Sequence, residues 1–168
     1  IKQPADSFYY IKKDLRGSLG FVGLIYAWVI VVRVATLYMT GLIWCIQIVH
    51  YPLFARVGKE GFAAYEIAHS NSITLVVALP MLVELVTASL LLFFRLPAIG
   101  LGDTMIGLAL IILIWLSTMF LQVPQHSILS SGFDTSAHQF LVNSNWVRTI
   151  AWSMRGVLVL WMTAKVMR

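Results

Sequence analysis

The sequence predicts an all-α polytopic membrane protein, a four-transmembrane-helix bundle with two short surface helices on the periplasmic side. Two observations lead to this fold class. Of the 168 residues, 60% are hydrophobic and only 11% are charged, whereas a soluble domain has roughly 45–50% apolar and 25% charged residues. The apolar residues also form four long stretches, each near the ~20 residues that a helix needs to cross a bilayer.

The elements follow in chain order. Residues 1–20 mix basic and aromatic side chains, which is typical of a helix lying in the cytoplasmic interface. Residues 21–168 are predicted to form a single transmembrane domain, with spans at about 21–49, 73–94, 104–123 and 147–166. The single cysteine, Cys45, lies within the first span, which excludes a disulfide framework and a CxxC metal site.

Lysine and arginine are unequally distributed between the two ends of the predicted bundle. One end carries Lys2, Lys12, Lys13, Arg16, Arg95, Lys165 and Arg168, and the other carries Arg56, Lys59 and Arg148. The positive-inside rule therefore predicts that both termini are cytoplasmic and, in a bacterium, that the opposite end faces the periplasm from the inner membrane. Basic residues beside spans meet anionic lipid headgroups, so the net charge of +5 gives no case for nucleic acid.

All histidines of the chain are predicted at the periplasmic end: His50, His69, His126 and His138. Imidazole is the commonest protein ligand of transition metals. Glu66 precedes His69 by three residues, as in helical carboxylate–histidine metal sites, and Asp134 precedes His138 by four. These six residues are the candidate ligands of iron, zinc or copper. The alternative is that the rings merely suit the headgroup layer.

The two halves of the chain resemble each other. Span one ends in Gln47 and His50, and span three ends in Gln122 and His126. In each half, a carboxylate and a histidine follow on the connecting segment, which suggests an internal repeat of two helical hairpins.

Each connecting segment is predicted to form a short surface helix. Apolar and polar residues recur at helical spacing from Phe62 to His69. Asp134 is the expected N-cap of a helix over residues 135–142, and Asn143 and Ser144 are expected to cap span four.

Polar residues within the spans point toward the same end. On helical spacing they form stripes that would line a cup opening outward. The candidate cofactor-binding residues of this cup are Gln47, Gln122, Asn145, Arg148 and Trp152. Such a cup would suit a metal, a quinone head group, a haem edge, a pigment or ordered water.

Three ionisable residues lie deeper in the spans. Glu84 is the only anion available there, and Arg155 and Arg33 are its possible partners. A charge near the bilayer centre costs about 2.5 to 3.5 kcal/mol on insertion scales, so these groups are expected to face inward and form a buried ion pair. A proton or substrate path through Glu84 is the alternative.

One run of residues resembles a known family. Asn145, Trp146, Val147, Arg148 and Thr149, with the preceding Val123 and Pro124 and the earlier Pro52, Leu53 and Phe54, resemble the anthrone-oxygenase-like family of small membrane proteins. The resemblance implies a four-helix membrane bundle, in a family with some cofactor-free oxygenases of polycyclic phenols. It singles out Asn145, Arg148 and Thr149. The histidines are not part of that family pattern.

Two classes of function remain open. The small size favours an accessory subunit of a larger membrane complex, whose partners are the lipid bilayer and other membrane subunits. The alternative is a stand-alone membrane oxidoreductase or metal-binding protein that uses the polar cup as its active site. The sequence contains no HExxH motif, no nucleophile with an adjacent base and no glycine-rich phosphate loop.

Overall fold

The computed structural model describes the backbone of residues 4–94 and 96–167, and the side chains of residues 26–167 apart from 95. Within these ranges the chain is helical and contains no strand. Several predictions fall outside the described side chains: the interfacial character of residues 1–20 and the placement of Lys2, Lys12, Lys13, Arg16, Arg95 and Arg168. Residues 1–31 and 32–168 form two compact units, and the core described below belongs to the second.

Four helices make up most of the structure: α1 (Pro4–Cys45), α3 (Phe62–Phe93), α4 (Leu101–Ser117) and α6 (Thr135–Val166). After α1 the chain continues through a π-helical turn (Ile46–His50), a single turn α2 (Tyr51–Leu53) and a 3-10 turn (Phe54–Arg56). After α4 it continues through a second π-helical turn (Thr118–Gln122) into α5 (Val123–Leu129).

Within the part of the chain that the structure describes, three helical segments are long and apolar enough to cross a membrane: Tyr26–Arg56, Phe62–Phe93 and Leu101–Leu129. Large apolar side chains cover their outer surface; Leu75 is 81% exposed and Phe93 is 79% exposed. The buried side chains include polar and charged groups such as Gln47 and Glu84. Apolar groups outside and polar groups inside is the arrangement that a lipid environment favours.

The predicted surface helices are not separate elements. Residues 62–69 form the first turns of the 32-residue helix α3, and residues 135–142 those of the 32-residue helix α6. The prediction that Asn143 and Ser144 cap span four is wrong, because both lie inside α6. The Ser144 hydroxyl bonds to the Leu141 carbonyl of its own helix, so this polar residue is satisfied without a helix end. Asp134 is the N-cap of α6, as predicted.

The internal resemblance is clearest in the two π-helical turns. The second turn begins 72 residues after the first, at position 118 rather than 46, and Pro124 follows Pro52 by the same interval. Each proline lacks the N–H that would continue an α-helical ladder. The residue before it instead donates five residues back, Tyr51 to Ile46 and Val123 to Thr118. The halves thus match in backbone geometry rather than in histidine spacing.

Candidate functional site

A hydrogen-bonded triad of Glu66, His126 and Tyr51 lies at the π-helical end of the second unit. Glu66, on α3, is 0% exposed, and its Oε1 lies 2.5 Å from Nδ1 of His126 on α5. The other ring nitrogen of His126, Nε2, lies 3.0 Å from the hydroxyl of Tyr51. Because a carboxylate only accepts, Nδ1 donates to Glu66, and a neutral ring then accepts the Tyr51 proton at Nε2.

The two prolines and the π-helical turns help to position the triad. Tyr51 follows the first π turn directly and is buried, while His126 lies in the helical turn that Pro124 begins. Ser70, one turn after Glu66, donates to the same carboxylate oxygen at 3.1 Å. The backbone carbonyl of Tyr51 accepts from Nε2 of His138 at 2.8 Å. Side chains from α3, α5 and α6 therefore hold the triad together.

The remaining two histidines form a pair beside the triad. His50 Nε2 and His69 Nδ1 are 2.9 Å apart, so one ring donates and the other accepts. The ring of His69 lies 5.5 Å from that of His126, measured between centroids. His50 and His69 are only partly buried. This pair connects the surroundings of the triad with the edge of the unit.

An amide cluster, formed by Gln47, Asn145, Arg148 and Thr149, lies next to the triad. Gln47 Oε1 accepts from Asn145 Nδ2 at 2.9 Å and from the Thr149 hydroxyl at 3.3 Å. Its Nε2 donates to the Val142 carbonyl at 3.2 Å. Arg148 Nη1 donates to Asn145 Oδ1 at 3.3 Å. The cluster joins the first π-helical turn to α6.

Gln122, in the second π-helical turn, also contacts α6. Its Nε2 donates to the Ser144 hydroxyl at 2.8 Å. Gln47 and Gln122 thus anchor both π-helical turns to the same helix, although they hold different positions within their turns.

Several polar atoms at this end are buried without a hydrogen-bond partner. Among the described residues there are six: Glu66 Oε2, His69 Nε2, Ser117 Oγ, Gln122 Oε1, Arg148 Nε and Trp152 Nε1. They include donors as well as acceptors. An unsatisfied buried polar group costs about 1 to 3 kcal/mol, so protein cores normally pair them. A bound water or a polar ligand would supply partners for such atoms.

The predicted metal ligands do not come together as one group. In the part of the chain that the structure describes, no three His, Cys, Asp or Glu side chains are arranged to hold a metal ion. His138 is bound to the Tyr51 carbonyl, and the Asp134 carboxylate accepts from the Ala137 backbone N–H at 2.7 Å. The four others divide between the triad and the histidine pair.

The predicted cofactor-binding residues all lie in the core at this end of the unit. Each of Gln47, Gln122, Asn145, Arg148 and Trp152 is buried. Tyr51, which the structure places in the triad, was not among the predicted site residues. The signal was present: Tyr51 is a polar aromatic residue directly before a proline, where the helix geometry changes.

The deep ion pair is formed by Glu84 and Arg155, without Arg33. Arg155 Nε binds Glu84 Oε2, and Arg155 Nη1 donates to the Gly107 carbonyl at 2.9 Å. The Thr36 hydroxyl donates to the other Glu84 oxygen at 2.6 Å. Both carboxylate oxygens thus have partners. This cluster joins α1, α3, α4 and α6.

No family model, no curated protein and no solved structure matches the chain in comparisons with known proteins. The resemblance to the anthrone-oxygenase-like family therefore stays a prediction. What the chain does has to be argued from its own residues.

Proposed function

We propose that the chain is an integral membrane protein that binds a small polar ligand between its helices and exchanges a proton with it through Tyr51, His126 and Glu66. The observation that carries the proposal is the group of six unpartnered buried polar atoms around a complete hydrogen-bonded triad. In this proposal the triad is the catalytic part of a stand-alone membrane enzyme. The unpartnered atoms are the binding part.

The proposed chemistry follows from the order of groups in the triad. If Tyr51 loses a proton to His126, the resulting imidazolium stays in contact with the Glu66 carboxylate, which stabilises its charge. Burial disfavours a negative charge on the Tyr51 oxygen, and the positive charge of Arg148 partly offsets this effect. A proton can therefore move toward or away from a ligand without leaving an isolated charge in the core.

The partners of Glu66 differ from those of Glu84, the other fully buried glutamate of α3. Glu84 shows what a structural carboxylate looks like in this molecule, because both of its oxygens are bound. Glu66 is equally buried, yet its second oxygen has no partner. A bound ligand or water would supply that partner.

The proposal places α6 as the fourth span. Its inward side carries Asn145, Arg148 and Arg155, which lower its mean hydropathy, whereas Val157 is 70% exposed and Ile150 and Met154 are also exposed. A helix with a polar inner side and an apolar outer side suits a bundle in lipid. In the proposed orientation the triad end faces the periplasm of a bacterial inner membrane and both termini are cytoplasmic.

The test of the triad is nitrogen-15 NMR of the histidine side chains in nanodiscs. The proposal expects a strongly downfield Nδ1 proton on His126 and an unprotonated Nε2, with the downfield signal lost in Glu66→Gln and the Nε2 shift changed in Tyr51→Phe. Arg56→Gln, at an exposed residue, is the control and leaves both signals unchanged. A protonated Nε2 on His126 in the wild-type protein would overturn the proposal.

The test of the ligand uses the same variants. Purified protein is incubated with a total small-molecule extract of membranes, and bound species are identified by mass spectrometry. The proposal is supported by a species that wild type and Arg56→Gln retain and that Glu66→Gln and Tyr51→Phe retain in smaller amounts. Equal retention by all four proteins contradicts it.

An accessory subunit remains the second candidate, and one observation favours it. Trp44 and Trp146 form an exposed edge-to-face pair, with 5.7 Å between ring centroids, on the outer surface beside the site. Exposed tryptophan is enriched at protein interfaces. Native electrophoresis of the protein extracted in a mild detergent decides between the two: co-migration with larger subunits, lost in a Trp44→Ala variant, would identify an accessory subunit.

A further inference from the structure

Arg148 and Trp152 each present an unpartnered N–H inside the core. They lie one helical turn apart on α6, so their side chains project from the same face. Arg148 is 5% exposed and Trp152 is 0% exposed. The free atoms are Nε of the guanidinium and Nε1 of the indole, and both can only donate.

The charge of Arg148 has no direct counterpart. Among the described side chains, the ion pairs join Glu66 to His126, Glu84 to Arg155 and Asp103 to Lys165, and none includes Arg148. The contact that holds its guanidinium is to a neutral oxygen, Oδ1 of Asn145. A buried charge without a partner costs several kcal/mol, whereas a paired one costs much less. Arg155 in the same helix has its carboxylate, and Arg148 lacks one.

We propose that Arg148 and Trp152 form a subsite for a small monovalent anion, either an inorganic anion or the carboxylate group of an organic ligand. The inference rests on the proposed function, because the anion is the charged group of the ligand that the triad acts on. Two unpartnered donors on one face of a helix suit one anionic oxygen or a halide. A divalent anion such as phosphate fits less well, because Glu66 lies in the same polar region.

The donors are held ready for such a group. Asn145 fixes the guanidinium through Nη1, and Gln47 in turn fixes Asn145. Trp152 is fully buried in the hydrophobic core, which fixes the plane of its ring. Donors that are already oriented lose little entropy when the anion binds.

The experiment measures the unfolding temperature of the purified protein in nanodiscs, prepared in gluconate and titrated with chloride, formate or acetate at constant ionic strength. A ligand that binds only the folded state raises its stability in a saturable way. We expect a saturable rise for wild type with at least one small anion. The rise should be abolished in Arg148→Gln and at least tenfold weaker in apparent affinity in Arg148→Lys and Trp152→Phe.

Arg56→Gln is the matched control, since it removes an exposed arginine and should keep the full response. A response to chloride as well as formate identifies an inorganic anion as a sufficient ligand, and a response to formate and acetate alone identifies a carboxylate. The inference is overturned if wild type responds to none of these anions, or if Arg148→Gln responds like wild type.

The histidine NMR signals separate this inference from the proposed function. If the His126 NMR signals are as expected but no anion raises the unfolding temperature, the anion subsite is contradicted and the proposed triad is not. If an anion raises the unfolding temperature but the expected His126 NMR signals are absent, the proposed triad is contradicted and the anion subsite is not.

Discussion

Glu66 and Glu84 are both fully buried glutamates on α3, and they differ in their partners. Glu84 has an arginine and a threonine on its two oxygens, so its charge and its hydrogen bonds are balanced. Glu66 has a histidine and a serine on one oxygen and nothing on the other. At the residue scale, this difference is the basis for proposing a structural role for Glu84 and a binding role for Glu66.

The first prediction concerns Glu84. Glu84→Gln leaves the Arg155 charge buried without its counterion, which we expect to lower the free energy of unfolding by about 3 to 5 kcal/mol. Reversible unfolding in mixed detergent micelles measures the change. The control is Asp103→Asn, because the Lys165–Asp103 pair is partly exposed and should be worth about 1 kcal/mol or less. Equal losses in the two variants would contradict the assignment.

The second prediction contrasts Glu66 with Glu84. In Glu66→Gln the amide oxygen can still accept from Nδ1 of His126, and no unpaired cation is left when that ring is neutral. We therefore expect a loss of about 1 to 2 kcal/mol, clearly smaller than for Glu84→Gln. The same unfolding measurement tests it. A loss as large as that of Glu84→Gln would show that His126 is a cation in the resting protein.

At the scale of elements, the N-cap of α6 gives a third prediction. The Asp134 side chain accepts from the Ala137 backbone N–H, so Asp134→Ala should cost about 1 kcal/mol, whereas Asp134→Asn should cost little. Ser136→Ala, at an exposed neighbour, is the control. Thermal unfolding measures all three. If Asp134→Asn destabilised as much as Asp134→Ala, the carboxylate would have a role beyond capping.

Element boundaries show where sequence reasoning succeeds and where it stops. The apolar stretches and the Asp134 cap could be predicted, because both follow from local rules. The continuity of α3 and α6 could not, since polar residues such as Ser70, Thr74 and Ser144 mimic helix ends. In the structure their hydroxyls bond within the same helix. The π-helical turns were also missed, although Pro52 and Pro124 mark both of them.

The sequence predicted which residues gather at the candidate site, but not which of them are hydrogen-bonded to one another. Sequence reasoning brought the histidines and the polar span residues to one end, because helix length fixes depth in the membrane. Sequence reasoning did not distinguish histidines that belong to the triad from histidines that bind the backbone. That separation depends on single contacts, such as His138 to the Tyr51 carbonyl, which arise from tertiary packing.

At the scale of the whole molecule, α6 carries positively charged residues on its buried side. The neighbouring long helices have apolar outer faces and few charged residues, whereas α6 has two buried arginines, Arg148 and Arg155. The polar groups of α6 contact the first π-helical turn, α3 and α4 through Gln47, Glu84 and Gly107. A helix bound to three other elements in this way has its polar side shielded from lipid, and the mean hydropathy of its sequence understates how well it suits a bilayer.

The last prediction tests this topology with single cysteines in a Cys45→Ala background, which removes the exposed native thiol. Ser131, Ala98 and Ala164 are exposed positions at the α5–α6 turn, the α3–α4 turn and the end of α6. In intact cells we expect an impermeant maleimide to label Ser131→Cys, and to label Ala98→Cys and Ala164→Cys only after lysis. Labelling of Ala164→Cys together with Ser131→Cys would mean that α6 does not span. Labelling of Ala98→Cys instead of Ser131→Cys would mean that the triad end faces the cytoplasm, so that any ligand of the Tyr51–His126–Glu66 triad enters from inside the cell.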